Sequence, residues 1–164
     1  MNVGKEIALE AKKKNICKEW FSEMTKQSDI KKLCEMYFKG DDWSMKNDFP
    51  SLDILRKFKG NSDQFGLHTD FNGLLKDKKN TALFGESEVT IDYSGYFAGT
   101  LIIRHDSKAK IQISENAYLV INLLDNAFVE IEATDHAKVH VFQYGKNSNF
   151  KITGNVEVIK KEWK

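Results

Sequence analysis

The stretch "DNAFVEIEATDHAKVHVF", which runs from Asp125 to Phe142, contains one short pattern twice. In each copy an Ala is followed two residues later by Val, and two residues later again by Ile or Val. The second copy begins ten residues after the first. Because alternate side chains of a β-strand point to the same side, the Ala and the two branched residues of each copy are predicted to share one face of a strand.

The same pattern, a small residue followed at alternate positions by two apolar residues, occurs eight times in the second half of the chain. Polar turn formers such as Asp125-Asn126 and Asp135-His136 separate the copies. Asn and Asp favour tight corners because they hydrogen-bond locally and tolerate left-handed backbone. Repeats this short cannot each bury a face alone and must stack. The copies begin at Ser87, Gly99, Ala109, Ala117, Ala127, Ala137, Ser148 and Gly154.

If all copies stack with their strands running in the same direction, they form a β-solenoid. The alternative is an antiparallel β-sandwich or meander with tight turns. Hairpins would reverse the small-to-large order from one strand to the next, whereas the order is the same in every copy, which favours the solenoid. We therefore predict the α+β class. A small N-terminal helical module covers residues 1–60, a connector covers 61–80, and a short single-chain β-solenoid of about eight strand repeats covers 81–160.

The helical module is predicted from apolar residues at helical spacing. One helix follows an N-cap at Asn15, a second runs from an N-cap at Ser28 to Gly40, and a third lies between Pro50 and Gly60. A looser helical turn or two precedes the first. Apolar residues in the connector show neither helical nor strand spacing, although one short strand is expected around Gly66–Asp70.

The two ends of the predicted solenoid differ. The helical module carries more aromatic side chains than three short helices bury among themselves, so we expect it to cap the N-terminal end or one face of the solenoid. The opposite end, near Val156–Val158, has no evident cap apart from Trp163. Because open strand edges are templates for pairing, that end is the predicted self-association surface.

Composition narrows the class of protein. The 164 residues are 41% hydrophobic and 30% charged, which is typical of a soluble domain. The net charge of +1 provides no field that would attract nucleic acid or a membrane, so neither is an expected partner. No apolar run is long enough to span a bilayer and no secretion signal is evident, which predicts the cytoplasm, or a virion if the chain is phage-encoded. Cys17 and Cys34 are predicted to be buried free thiols.

The phrases Asp125-Asn126-Ala127-Phe-Val129 and Asp135-His136-Ala137-Lys-Val139 resemble the Asp-Asn-Ala-x-Val tracts of uncharacterised short-repeat β-solenoid proteins from Bacteroidetes and their phages or mobile elements. The resemblance covers about residues 105–145. The helical half is similar to the leader of some of those proteins. The resemblance implies a solenoid fold and assigns no role to any residue.

Sequence motifs for chemistry are absent. No histidine pair has helical metal-ligand spacing, and the chain has no phosphate-binding loop, nucleophile elbow or zinc-protease motif. Aligned corners would bring His105 or Asp106 near Asp125 or His136, which leaves a corner metal site as an alternative. We therefore predict that the chain has no catalytic residue, no metal and no cofactor, because the preference of Asn, Asp and His for tight turns is enough to explain their presence at the corners.

Tyr118 and Phe128 are the candidate binding residues, because both are aromatic residues at outward positions of consecutive copies. They are expected either to form a structural ladder or to lie under the helical module, or else to form a patch for a partner or a sugar. We predict a non-enzymatic structural or protein-interaction module, whose partner is a protein, including a second copy of the chain. The alternatives are a carbohydrate-binding or adhesin-like module and an enzyme with a site in a solenoid groove.

Overall fold

The computed structural model describes residues 2–163, which divide into two compact units between Phe65 and Gly66. The first unit is helical and the second is a parallel β-solenoid. The predicted fold class is therefore confirmed. The expectation that the helical unit caps the solenoid remains a prediction.

The described part of the first unit contains five helices, rather than the three and a looser turn that were predicted, and a terminal 3₁₀ turn at Asp63–Phe65. The residues between Asn2 and Lys13, expected to be loosely helical, form a regular helix with Asn2 as its N-cap. The helices are α1 (Val3–Lys13), α2 (Lys18–Lys26), α3 (Ile30–Lys39), α4 (Asp41–Lys46) and α5 (Leu52–Lys57).

Two predicted N-caps are wrong. Asn15 has φ +62°, which is outside the extended region that an N-cap needs, and α2 begins after Cys17. Asp29, one residue after the predicted Ser28, caps α3 by accepting a hydrogen bond from the N–H of Lys31 at 2.9 Å. Asp and Ser are almost equally good caps, so a pair of them leaves the helix start ambiguous by one residue.

The helical unit has its own apolar core, formed by Ala8, Met24, Ile54 and their neighbours. The Glu10 carboxylate joins α1 to the start of α5, because it accepts hydrogen bonds from both the N–H and the hydroxyl of Ser51 at 2.6 Å. Cys34 is buried as predicted, and burial followed by the charges of Asp29 and Glu35 raises the pKa of its thiol to about 12. Cys17 is exposed, so that part of the prediction is wrong.

Eleven strands form the described part of the second unit, in two parallel sheets. The first sheet, sheet A, has the order β1-β3-β5-β7-β9-β11, and the second, sheet B, has the order β10-β8-β6-β4-β2. Odd-numbered and even-numbered strands are thus segregated. The strands are β1 (Leu67–Thr69), β2 (Asn72–Lys76), β3 (Asn80–Phe84), β4 (Glu88–Tyr93), β5 (Ala98–Ile103), β6 (Lys108–Ile113), β7 (Tyr118–Leu123), β8 (Phe128–Ala133), β9 (Lys138–Tyr144), β10 (Asn149–Thr153) and β11 (Val156–Lys161).

Two copies of the sequence pattern make one coil of the solenoid. Val89 pairs with Ala109 and Ala109 pairs with Val129, so hydrogen-bonded neighbours are twenty residues apart in the interior coils. Copies that are adjacent in the chain therefore lie in different sheets. Every strand pairing among the described residues is parallel, which excludes the antiparallel sandwich or meander.

The predicted inward face is confirmed. In β6, Ala109, Ile111 and Ile113 are buried while the residues between them are exposed. The prediction that outward positions face water holds for this strand of sheet B, but it is wrong in part of sheet A. Ile102 points away from the solenoid core and is buried. It lies within Leu101-Ile102-Ile103, and a continuous apolar run is typical of a strand buried on both faces.

The corners have the strictest period in the chain. From residue 85 to residue 145, every tenth residue has a positive φ. Side chains at these corners connect successive coils: the N–H of His105 donates to Asp125 Oδ2 at 2.9 Å, and the N–H of Glu115 donates to Asp135 Oδ2 at 3.0 Å. These bonds satisfy backbone donors that the strand ladders cannot reach. The seven corner residues are Gly85, Gly95, His105, Glu115, Asp125, Asp135 and Gly145, with φ from 55° to 79°.

The solenoid begins at residue 67 rather than at 81. The short strand expected around Gly66–Asp70 is present as β1, but β2 also lies in the segment predicted to be a connector. The first coil is shorter than the others, because Leu67 pairs with Ala82 and Asn72 pairs with Glu88. The repeated pattern is missing from this coil, so the sequence of its strands did not show the alternation of apolar and polar residues that predicts a strand.

Candidate interaction surface at the C-terminal coil

The last coil, formed by β10 and β11, leaves part of the solenoid core open. Its inward residues extend the columns of inward side chains that are stacked from coil to coil in the interior of the solenoid. Ile152 pairs with Ile131, and Val158 pairs with Val141. Ile131 is 1% exposed, whereas Ile152 is 37% exposed. Val158 is also partly exposed although it packs against the core. No strand of the described residues pairs with the outer edge of β10 or β11, so an apolar layer lies beside two open strand edges.

The inward row of β11 ends in a charge. Lys160 pairs with Gln143, which is the inward position of the preceding strand, and Lys160 is exposed. Inward-pointing charges on edge strands are a common means of preventing indefinite edge-to-edge pairing. The end of the solenoid is therefore partly apolar and partly protected by Lys160.

The outward row of β11 consists of Glu157, Ile159 and Lys161. Glu157 Oε2 lies 3.0 Å from His140 Nε2. The Lys161 ammonium lies 5.1 Å from the ring centroid of Phe142. Both charges of this outward row thus contact side chains of the preceding coil.

His140 is the centre of a short polar column across three coils of sheet A. Its Nδ1 lies 2.7 Å from the Tyr118 hydroxyl, and its Nε2 faces Glu157. The rings of Tyr118 and His140 meet edge to face with centroids 5.6 Å apart. The column therefore directs the Glu157 carboxylate toward His140.

The chain beyond β11 is held by an aromatic contact. The Trp163 indole stacks on the Tyr144 ring, with centroids 4.3 Å apart and an interplanar angle of 12°. Trp163 still exposes 39% of its surface. Stacked aromatic rings with one accessible face are frequent at sites of association.

The two predicted binding residues do not form one patch. Tyr118 is in β7 of sheet A and Phe128 is in β8 of sheet B, so their outward side chains lie on opposite sides of the solenoid. The predicted ladder between them is wrong, because neighbours in a sheet are twenty residues apart rather than ten. Phe128 pairs with Lys108 and Asn149 instead.

Sequence reasoning did not find the contacts of Tyr118 or the role of Glu157. An alignment of the chain at intervals of twenty residues would have placed the Tyr118 strand beside the His140 strand. The sequence separation between paired residues of β9 and β11 is shorter than twenty, since Val139 pairs with Val156. That irregular step hides Glu157 from any fixed-period alignment.

The corner that was considered for a metal or an enzyme brings His105 and Asp125 together, whereas His136 lies at the other corner column, beside Glu115. His105 Nδ1 accepts a hydrogen bond from the N–H of Gly85 at 3.0 Å. The buried Arg104 side chain donates through Nε to Asp125 Oδ2 at 3.0 Å. These contacts connect three coils and give each residue a structural role.

Comparisons with protein-family models, with curated proteins and with solved structures found no match. Within residues 2–163, none of the helices has the length and apolar content needed to cross a membrane.

Proposed function

We propose that the chain is a non-enzymatic protein-interaction module, in which the solenoid presents its C-terminal coil to a protein partner. The observation that carries this proposal is the open inward layer, where Ile152 is exposed in the column that buries Ile131. Covering such a layer is favourable by roughly 25 cal/mol for each Å² of apolar surface removed from water.

The mode of binding that fits this surface is strand addition. β10 and β11 each have an outer edge that is unpaired within the described residues, and such edges bind extended segments through backbone hydrogen bonds. The inward apolar residues then supply contact area, and the outward row of β11 supplies charge. A cytoplasmic setting, or a virion for a phage-encoded chain, belongs to the proposal.

The alternatives have less support. The carbohydrate-binding alternative was favoured by exposure of Tyr118 and Phe128, whereas both are half-buried and lie in different sheets. The enzyme alternative depended on convergence at a corner, and the corner contacts of His105 and Asp125 are accounted for by coil-to-coil hydrogen bonds. The exposed inward layer of the last coil supports the interaction module rather than either alternative.

Site-specific photocrosslinking in cells tests the proposal. A benzophenone amino acid replaces Lys160 at the open edge in one full-length variant and Lys110 in another. Lys110 is also exposed, but it lies in β6, which has a strand on each side. Ultraviolet light should attach a protein at position 160 and not at position 110. No attachment at position 160, or equal attachment at both positions, would contradict the proposal.

A further inference from the structure

The outward row of β11 consists of an acidic, an apolar and a basic residue, in the order Glu157, Ile159 and Lys161. Such a row is self-complementary when two copies of the strand run in opposite directions. We infer that the partner of the C-terminal coil is a second copy of this chain, with the two β11 strands paired antiparallel about a two-fold axis at Ile159. The inference rests on the proposed function and adds the partner and its register.

The two-fold axis fixes the contacts. A symmetric pair of identical strands is antiparallel, and each contact is made twice. The outward faces of the two sheets are continuous only when outward residues lie opposite outward residues. With Ile159 opposite Ile159, Glu157 of each copy lies opposite Lys161 of the other. Opposite charges at directly paired positions stabilise a sheet.

A neighbouring register lacks these pairs. With Val158 at the axis, Glu157 would lie opposite Ile159, and Lys161 would have no outward residue of β11 opposite it. The register at Ile159 places Val158 opposite Lys160. The long Lys160 stem covers apolar surface there, while its ammonium extends to water, as lysines at apolar boundaries usually do.

The charges are oriented before association. Glu157 is held by His140 at 3.0 Å, and Lys161 lies over Phe142 at 5.1 Å. Side chains that are already ordered lose less rotamer freedom on binding, which favours the complex. The polar column from Tyr118 through His140 to Glu157 would thus continue to Lys161 of the second copy.

A closed dimer fits better than an open filament. Head-to-tail stacking would pair the six-residue β11 with β1, which has three residues. The symmetric arrangement uses the full length of β11 on both sides, and a two-fold interface closes with two copies.

The test uses charge reversal in full-length protein and analytical ultracentrifugation. Glu157→Lys alone and Lys161→Glu alone each place like charges opposite one another twice, so each variant should dimerise roughly tenfold more weakly than the wild type. An equimolar mixture of the two variants should recover most of the affinity, because both charge pairs are attractive in the mixed dimer. Lys110→Glu is the control and should dimerise like the wild type.

Circular dichroism confirms that each variant is folded before the comparison. Recovery in the mixture would be hard to explain by misfolding, since two damaged proteins do not repair each other. Association of the wild type without recovery in the mixture would overturn the inferred register while leaving the proposed function in place. A wild type that remains monomeric but crosslinks through position 160 to another protein would overturn the choice of partner only. Absence of both association and crosslinking would overturn the inference together with the proposed function.

Discussion

The interior coils and the last coil of the solenoid continue the same columns of residues but differ in exposure. Ile131 and Ile152 are paired neighbours with the same side chain, yet the first is 1% exposed and the second is 37% exposed. The corners differ as well. Asp125 and Asp135 hydrogen-bond to the preceding coil, whereas the corners of the last coil are Gly145 and Gly154. The comparison shows that burial in this fold depends on whether another coil follows.

The largest difference is expected from truncation of the paired isoleucines. Ile131→Ala removes a fully packed side chain and should lower the free energy of unfolding by about 3 kcal/mol, within the usual range for core truncation. Ile152→Ala should cost less than about 1 kcal/mol in the monomer, because water already contacts that side chain. Urea unfolding of both variants at low protein concentration measures the difference. Equal losses would mean that the last coil is packed like the interior.

The next effect concerns the small inward residues of the interior coils. Ala127 is buried immediately before β8, so Ala127→Leu overpacks the core and should lower the free energy of unfolding by about 1–3 kcal/mol. Lys138→Leu, at an exposed outward position of β9, should change it by less than about 0.5 kcal/mol. Urea titration compares the two variants. A larger loss for Lys138→Leu would reverse the assignment of faces.

The interior corners should show a smaller, graded effect. Asp125→Ala removes the acceptor for the N–H of His105 and one partner of the buried Arg104, so we expect a loss of about 2 kcal/mol. Asp135→Ala removes the acceptor for the N–H of Glu115, and we expect a loss of about 1 kcal/mol. Thermal or urea unfolding measures both losses. The corner account is contradicted if neither change has an effect.

The smallest expected effect is a gain at the Gly145 corner. Gly145 has φ +79° with open space where a Cβ would lie, and Asp tolerates this backbone better than most residues. Gly145→Asp would supply the acceptor that interior corners have, so we expect a change between about zero and +1 kcal/mol in the free energy of unfolding. Gly154→Ala is the contrasting variant. Its Cβ would lie 1.9 Å from the Ala133 carbonyl oxygen, so it should be clearly destabilising.

The sequence predicted the parts of the fold where residues repeat. The inward rows, such as Ala109-Ile111-Ile113, were assigned correctly because an alternating pattern leaves few other arrangements. The corner residues Asp125 and Asp135 were also found, because Asp hydrogen-bonds locally and tolerates left-handed backbone. What the pattern did not give was the number of copies in a coil. A ten-residue repeat is compatible with hydrogen-bonded strands that are either ten or twenty residues apart in the sequence. Because of this ambiguity, Tyr118 and Phe128 were wrongly predicted to share one surface.

The remaining errors arise where the pattern is irregular. β2 was missed, and β1 was expected only as an isolated short strand, because the first coil is shortened and carries no small-x-apolar phrase. Glu157 was missed because the last coil is shortened too. The self-association end near Val156–Val158 was predicted from the sequence and stays a prediction.

Hydrogen–deuterium exchange of the wild-type chain at increasing protein concentration tests the central claim most directly. In a parallel ladder, alternate N–H groups of β11 point to β9 and the others point to the open edge. If the C-terminal coil pairs with a second copy, deuterium uptake by residues 156–161 should fall as the concentration rises. Uptake by residues 72–76 of β2, at the other end of the solenoid, should stay constant. Uptake by residues 156–161 that is the same at every concentration would contradict the account.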